Sequence, residues 1–137
     1  MSIRIRPSSF AAALLALACS SATRAEPVAP AVRAEIDALL GRLQSSGCQF
    51  NRNGSWYDAA EARSHLLRKL AYLEGKNLVR NSEQFIEQAA SKSSSSGKPY
   101  LVRCAQVAAV ESGPWLSNEL KSIRSAAARP AAAPASR

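Results

Sequence analysis

The sequence predicts an α+β domain: about four helices packed on one face of a small antiparallel sheet of about three strands, tied by one disulfide. Three observations predict it. Apolar side chains recur at helical spacing in four separated stretches, the first holding Val32, Ile36, Leu39, Leu40 and Leu43. Residues 48–57 alternate around Asn53-Gly54, the dipeptide most favoured in two-residue hairpin turns. Two cysteines, Cys48 and Cys104, each adjoin a β-forming segment.

The first 25 residues stand apart from that domain. Residues 1–9 carry Arg4 and Arg6, residues 10–18 are an unbroken apolar run, and residues 20–25 are small and mostly polar. This is the layout of a secretory signal peptide spanning 1–25, and its apolar run is too short to cross a bilayer as a helix. Cleavage after Ala25 puts Thr23 and Ala25 at the small-residue positions. A second reading takes residues 15–19 as a lipoprotein signal with Cys19 lipidated, although Ala16 stands where Leu is usual. The expected location is therefore the periplasm or the medium, with membrane anchoring only through Cys19.

Either route removes or modifies Cys19 and leaves two cysteines in an oxidising compartment. A Cys48–Cys104 disulfide is the simplest outcome, and two separate buried thiols are the alternative. Two cysteines and His65 show no paired-ligand spacing, so no metal is expected, and nothing points to another cofactor. Loss of Arg4, Arg6 and Arg24 takes the formal charge from +8 to +5. A moderately basic exported protein meets lipid headgroups and envelope polymers before nucleic acid. Its basic residues are spread over every element, which ranks nucleic-acid binding last. Residues 125–137 are rich in alanine and proline and read as a flexible tail. The folded domain is thus residues 31–124, small enough for a cross-link to matter.

Within it, residues 31–46 form the first helix, with Pro30 suited to its first turn and Gly47 to the position past its end. Gly41 inside that helix hints at close packing. After the hairpin, Asp58 and Glu61 make a capping box for a helix running to about Leu73, with Ala62, Leu66, Leu70 and Leu73 buried and His65 and Lys69 flanking them. Gly75 and Asn77 end it. Asn81 or Ser82 caps a short third helix, Gln84 stands at the capping-box spacing, and Phe85, Ile86, Ala89 and Ala90 give a narrow apolar face. Residues 92–99 cannot extend it: serines favour local hydrogen bonds, and Pro99 biases Lys98 away from the helical region. Residues 100–104 form a strand, 105–111 an apolar connector. Ser112-Gly113-Pro114 opens a last helix with Trp115, Leu116, Leu120 and Ile123 inward. A disulfide would make the first hairpin strand and the strand from Tyr100 neighbours.

Several fragments form a familiar series: Phe50-x-Arg52-Asn53-Gly54, Ala62-x-x-His65-Leu66-x-x-Lys69-Leu70, Glu83-x-Phe85-Ile86, Ala90-Ser91-x-Ser93-Ser94 and Gly97-Lys98-Pro99-Tyr100. In this order, over residues 36–103, they resemble the YfeK-like family of small exported proteobacterial proteins, a domain of unknown function. The resemblance implies export and one compact domain, and it implies no activity. The disulfide rests on this chain's own cysteines.

The residues singled out for binding are Arg52, Asn53, Trp56, His65, Ser94, Lys98 and Tyr100. Arg52 and Trp56 are side chains that anchor interfaces, although a turn with Trp56 in the core is the plainer account. His65 with a serine of 93–96 would give a base and a nucleophile. There is no Gly-x-Ser-x-Gly elbow, and a ring packed on the core and bonded to a loop carbonyl is the plainer account. The loop around Gly97-Lys98 has phosphate-loop composition but leads into Pro99 and a strand, not a helix. Glu61, Glu83 and Glu87 fall in first turns or on outer faces, where solvated charge suffices. The function expected is non-enzymatic binding of an envelope protein or polysaccharide, the alternative a hydrolase using His65.

Overall fold

A computed structural model describes residues 27–130. The signal segment, Cys19 and residues 131–137 lie outside the described residues. Helix α1 covers Pro30–Ser45, β1 Gln49–Arg52, β2 Ser55–Tyr57 and α2 Ala59–Gly75. A short helix α3, Ser82–Phe85, runs into a π-helical turn at Ile86–Ala90; then come β3 Leu101–Arg103, β4 Val110–Glu111 and α4 Ser112–Ala128. The fold is α+β, as the periodicities implied.

Local chemistry sets most boundaries. Pro30 opens α1, and Gly47 leaves it at φ +68°, a conformation costly for any residue with a side chain. Asp58 Oδ1 accepts the Glu61 N–H at 2.8 Å while Glu61 Oε2 accepts the Asp58 N–H at 3.3 Å, the reciprocal cap expected for α2. At α3, Asn81 Oδ1 accepts the Gln84 N–H at 2.8 Å, but the Gln84 side chain takes the Arg80 N–H instead of that of Asn81.

The sheet order is β2-β1-β3-β4, antiparallel throughout. Asn53 and Gly54 turn the hairpin with φ of 51° and 87°, so Phe50 pairs with Tyr57 and Arg52 with Ser55. Phe50 also pairs with Val102. Continuing that register by one residue each way sets Cys48 opposite Cys104 and Arg52 opposite Tyr100. The cysteines are bonded, with Cα atoms 4.3 Å apart.

Alternation then sorts the side chains. Phe50, Val102, Tyr100, Tyr57 and Arg52 face the helices; Gln49, Asn51, Trp56, Leu101 and Arg103 face away. Phe50 and Val102 are buried against a core built from Ile36, Leu39, Leu40, Leu43, Leu66, Leu70, Phe85, Leu116 and Leu120. Among the described residues no helix is long and apolar enough to cross a membrane.

Four details differ from the sequence expectation. The 105–111 connector contains a fourth strand, β4, held by two backbone pairs to β3; both its residues are exposed, so no apolar alternation marked it. Helix α4 continues to Ala128, past the point where the tail was drawn, because its alanines are good helix formers. Gly41 is exposed, and an added Cβ would meet nothing within 4 Å, so close packing does not explain it. Finally, the third helix widens to a π turn. The Ser91 hydroxyl donates to the Ile86 carbonyl at 2.7 Å, and buried Ser112 donates to the Ala90 carbonyl, so α4 begins on top of this turn. A Cβ on Gly113 would lie 2.7 Å from Ser91 Oγ, which requires glycine there.

Candidate functional site

Where the hairpin's inner face meets the N-terminal half of α2, the packing stays open. The resulting cleft encloses about 410 Å³ and is mostly apolar, with Leu43, Phe50, Leu66, Ala90 and Leu116 among its lining. That volume is within the range of small-molecule sites, roughly 300–1,000 Å³. Its polar lining includes Arg52 and Tyr57 from the hairpin, Glu61, Ser64, His65 and Arg68 from α2, Tyr100 just before β3, and Ser112 at the start of α4.

Helical spacing places His65 and Lys69 one turn apart on the side of α2 that faces Tyr100. His65 Nε2 lies 3.2 Å from the Tyr100 hydroxyl, and the two rings meet edge to face with centroids 6.0 Å apart. Lys69 Nζ stands over the Tyr100 ring at 5.2 Å and donates to the Lys92 carbonyl at 3.3 Å. On the other wall the Arg52 guanidinium stands 4.7 Å from the centroid of Tyr57. Cations over ring faces are attracted by the ring quadrupole, which fixes both without a carboxylate. The ion pairs among the described residues involve Arg33, Arg42 and Arg124, none of them in the cleft. Glu61, the acid in the lining, is engaged in the α2 cap.

Burial, with this positive charge as the lesser cause, perturbs three groups here. His65 is pushed down to about 4, first by burial and then by Arg52, Lys69 and Arg68, so its ring is neutral at pH 7. Lys69 is lowered by burial and by Arg52. Burial raises the Tyr100 hydroxyl, with Arg52 opposing. The site offers a fixed cation, a polarised ammonium, a neutral imidazole and a phenol around an apolar floor. It can hold an anionic group.

The singled-out residues divide. Arg52, His65 and Tyr100 come together here. Asn53 does not: its Nδ2 donates to Ser93 Oγ at 3.3 Å and its Oδ1 accepts from Ser96 Oγ at 2.6 Å, clasping the hairpin tip to the serine loop. Trp56 is on the opposite sheet face under Arg103, whose guanidinium is 4.2 Å from its ring centroid. It shares no surface with Arg52, and it is not core. Ser94 and Lys98 are exposed on the loop and line no part of the cleft. His65 bonds the Tyr100 hydroxyl rather than a loop carbonyl or a serine. Tyr57 and Arg68 were not anticipated. Arg68 follows His65 by one helical step of three and so was reachable from sequence; Tyr57 required the register.

These features define a disulfide-tied α+β domain with one sheet face bare and a cation-rimmed cleft on the other. The chain belongs to a family of unknown function (DUF5329), whose pattern matches residues 30–124. It is 44% identical over 68 residues to an uncharacterized protein, YfeK, of Salmonella typhimurium, as its motifs implied. That match covers 49% of this chain and 55% of the relative, so it spans about half the length of the curated protein. No solved structure matches.

Proposed function

We propose that the protein is a small exported binding domain of the cell envelope, without catalytic activity, which takes an anionic ligand in the cleft between α2 and the hairpin. One observation carries this reading: Arg52 and Arg68 line an open apolar floor, Lys69 stands beside it over the Tyr100 ring, and none of the three has a carboxylate partner among the described ion pairs. Unpaired cations beside low-dielectric walls are costly unless they serve an incoming anion. The amino-terminal layout of the chain and a cross-link suited to an oxidising compartment support export. A hydrolase using His65 has no geometric support. Ser93 bonds Asn53, Ser95 and the Ser96 N–H, and His65 bonds Tyr100.

The test is affinity capture from detergent-solubilised envelopes, with retained lipids, glycans and proteins identified by mass spectrometry. Wild type should retain an anionic component that Arg52→Gln/Lys69→Gln loses, while Arg103→Gln on the bare sheet face retains it. Equal retention by wild type and both variants would overturn the cleft as the site.

A further inference from the structure

We infer that the occupant of the cleft is a single long-chain carboxylate, its hydrocarbon on the floor formed by Leu43, Phe50, Leu66 and Leu116 and its head between Arg52 and Lys69. This rests on the cleft being the binding site, as proposed above. The shape of the lining selects the class. The floor is apolar and continuous with the core, so it rewards methylene groups and offers little to sugar hydroxyls. A polysaccharide would leave its hydroxyls facing leucine and phenylalanine, at the cost of unpaired polar groups.

The head is selected by the rim. Arg52 offers a planar fork and Lys69 a single ammonium, which together match a two-oxygen anion. Arg52 lines the cleft from the hairpin, while Lys69 stands at its edge on α2, behind the lining residue Tyr100, and each rests on a tyrosine ring rather than on an acid. Tyr100, bridging His65 and Lys69, closes the inner side of that head position. A volume of about 410 Å³ suits one chain rather than the two of a diacyl lipid.

Calorimetric titration of the purified full chain with laurate, below its micelle concentration, tests this. Decanoate, dodecanol and dodecyl phosphate are the comparison ligands. Laurate should bind once and saturably, and each methylene removed should weaken binding about fourfold. Dodecanol should fail to saturate, and dodecyl phosphate should bind no tighter than laurate. Arg52→Gln/Lys69→Gln should weaken laurate by more than about tenfold, as loss of charge-assisted bonds requires, and Arg103→Gln should not. Should the double variant not fold, Ala60→Trp, which fills the exposed mouth, must abolish binding instead. No saturable laurate binding, equal binding of dodecanol, much tighter binding of the phosphate, or full binding by the cleft variants would each overturn the inference. If laurate fails while envelope capture still depends on Arg52 and Lys69, the cleft remains the site and only the carboxylate falls.

Discussion

His65 is a neutral ring held among cations, and that has a measurable consequence. Its folded pKa is about 4, against about 6.5 in the unfolded chain. Between those values the unfolded state binds a proton that the native state refuses, so stability falls as pH drops from 6.5 toward 4 and is unaffected above that window. The full displacement corresponds to roughly 3 kcal/mol. Solvent screening at this half-buried site reduces it to about 1–2 kcal/mol. Urea unfolding of wild type and His65→Gln at pH 7.5 and pH 4.5 should therefore show a smaller acid loss in the variant. Glu35 and Glu83, held low by Arg124, contribute equally to both proteins and cancel. An equal acid loss in the two would refute the burial of His65. Sequence alone marked His65, Arg52 and Tyr100 by residue type and order. The Asn53-Gly54 turn puts Trp56 on the face opposite Arg52, but which of the two faces meets the helices depends on the pairing of Phe50 with Val102, far away in sequence.

At the scale of elements, two glycines with opposite surroundings make opposite predictions. Gly41→Ala adds a methyl to an exposed helix position with free space around it and should stabilise by about 0.5–1 kcal/mol in chemical denaturation. Gly113→Ala drives a Cβ into Ser91 Oγ, whose hydroxyl already holds the π turn, and should destabilise by roughly 1–3 kcal/mol. Ser91→Ala in the same chain should recover part of that loss, a coupling that a double-mutant cycle measures. The caps of α2 and α3 and the Asn53-Gly54 turn were legible because they are local. The π turn and β4 were not. One forms where α4 docks on Ala90, the other from backbone pairing that leaves no mark in side-chain pattern.

For the molecule as a whole, the disulfide closes 56 residues of sequence separation around α2, α3 and the serine loop. In the chain-entropy account such a loop is worth about 4 kcal/mol. Cys48→Ala/Cys104→Ala should lower the denaturant midpoint accordingly, and a midpoint that stays put would show the core to be sufficient alone. The class of the fold was readable because cysteine placement constrained which strands meet. The cleft was not, since its walls are 35 residues apart in sequence at His65 and Tyr100.

Helices α1 and α4 run antiparallel, with Arg42 reaching Glu119 and Arg124 reaching Glu35. The start of α1 and the finish of α4 consequently share one pole, while Leu43, Ser112 and Leu116 bring their other ends to the cleft. A group attached at either of these two helix ends sits at the pole away from the cleft. Tethered at residue 30 or at residue 128, the protein should meet a soluble ligand with the same association rate.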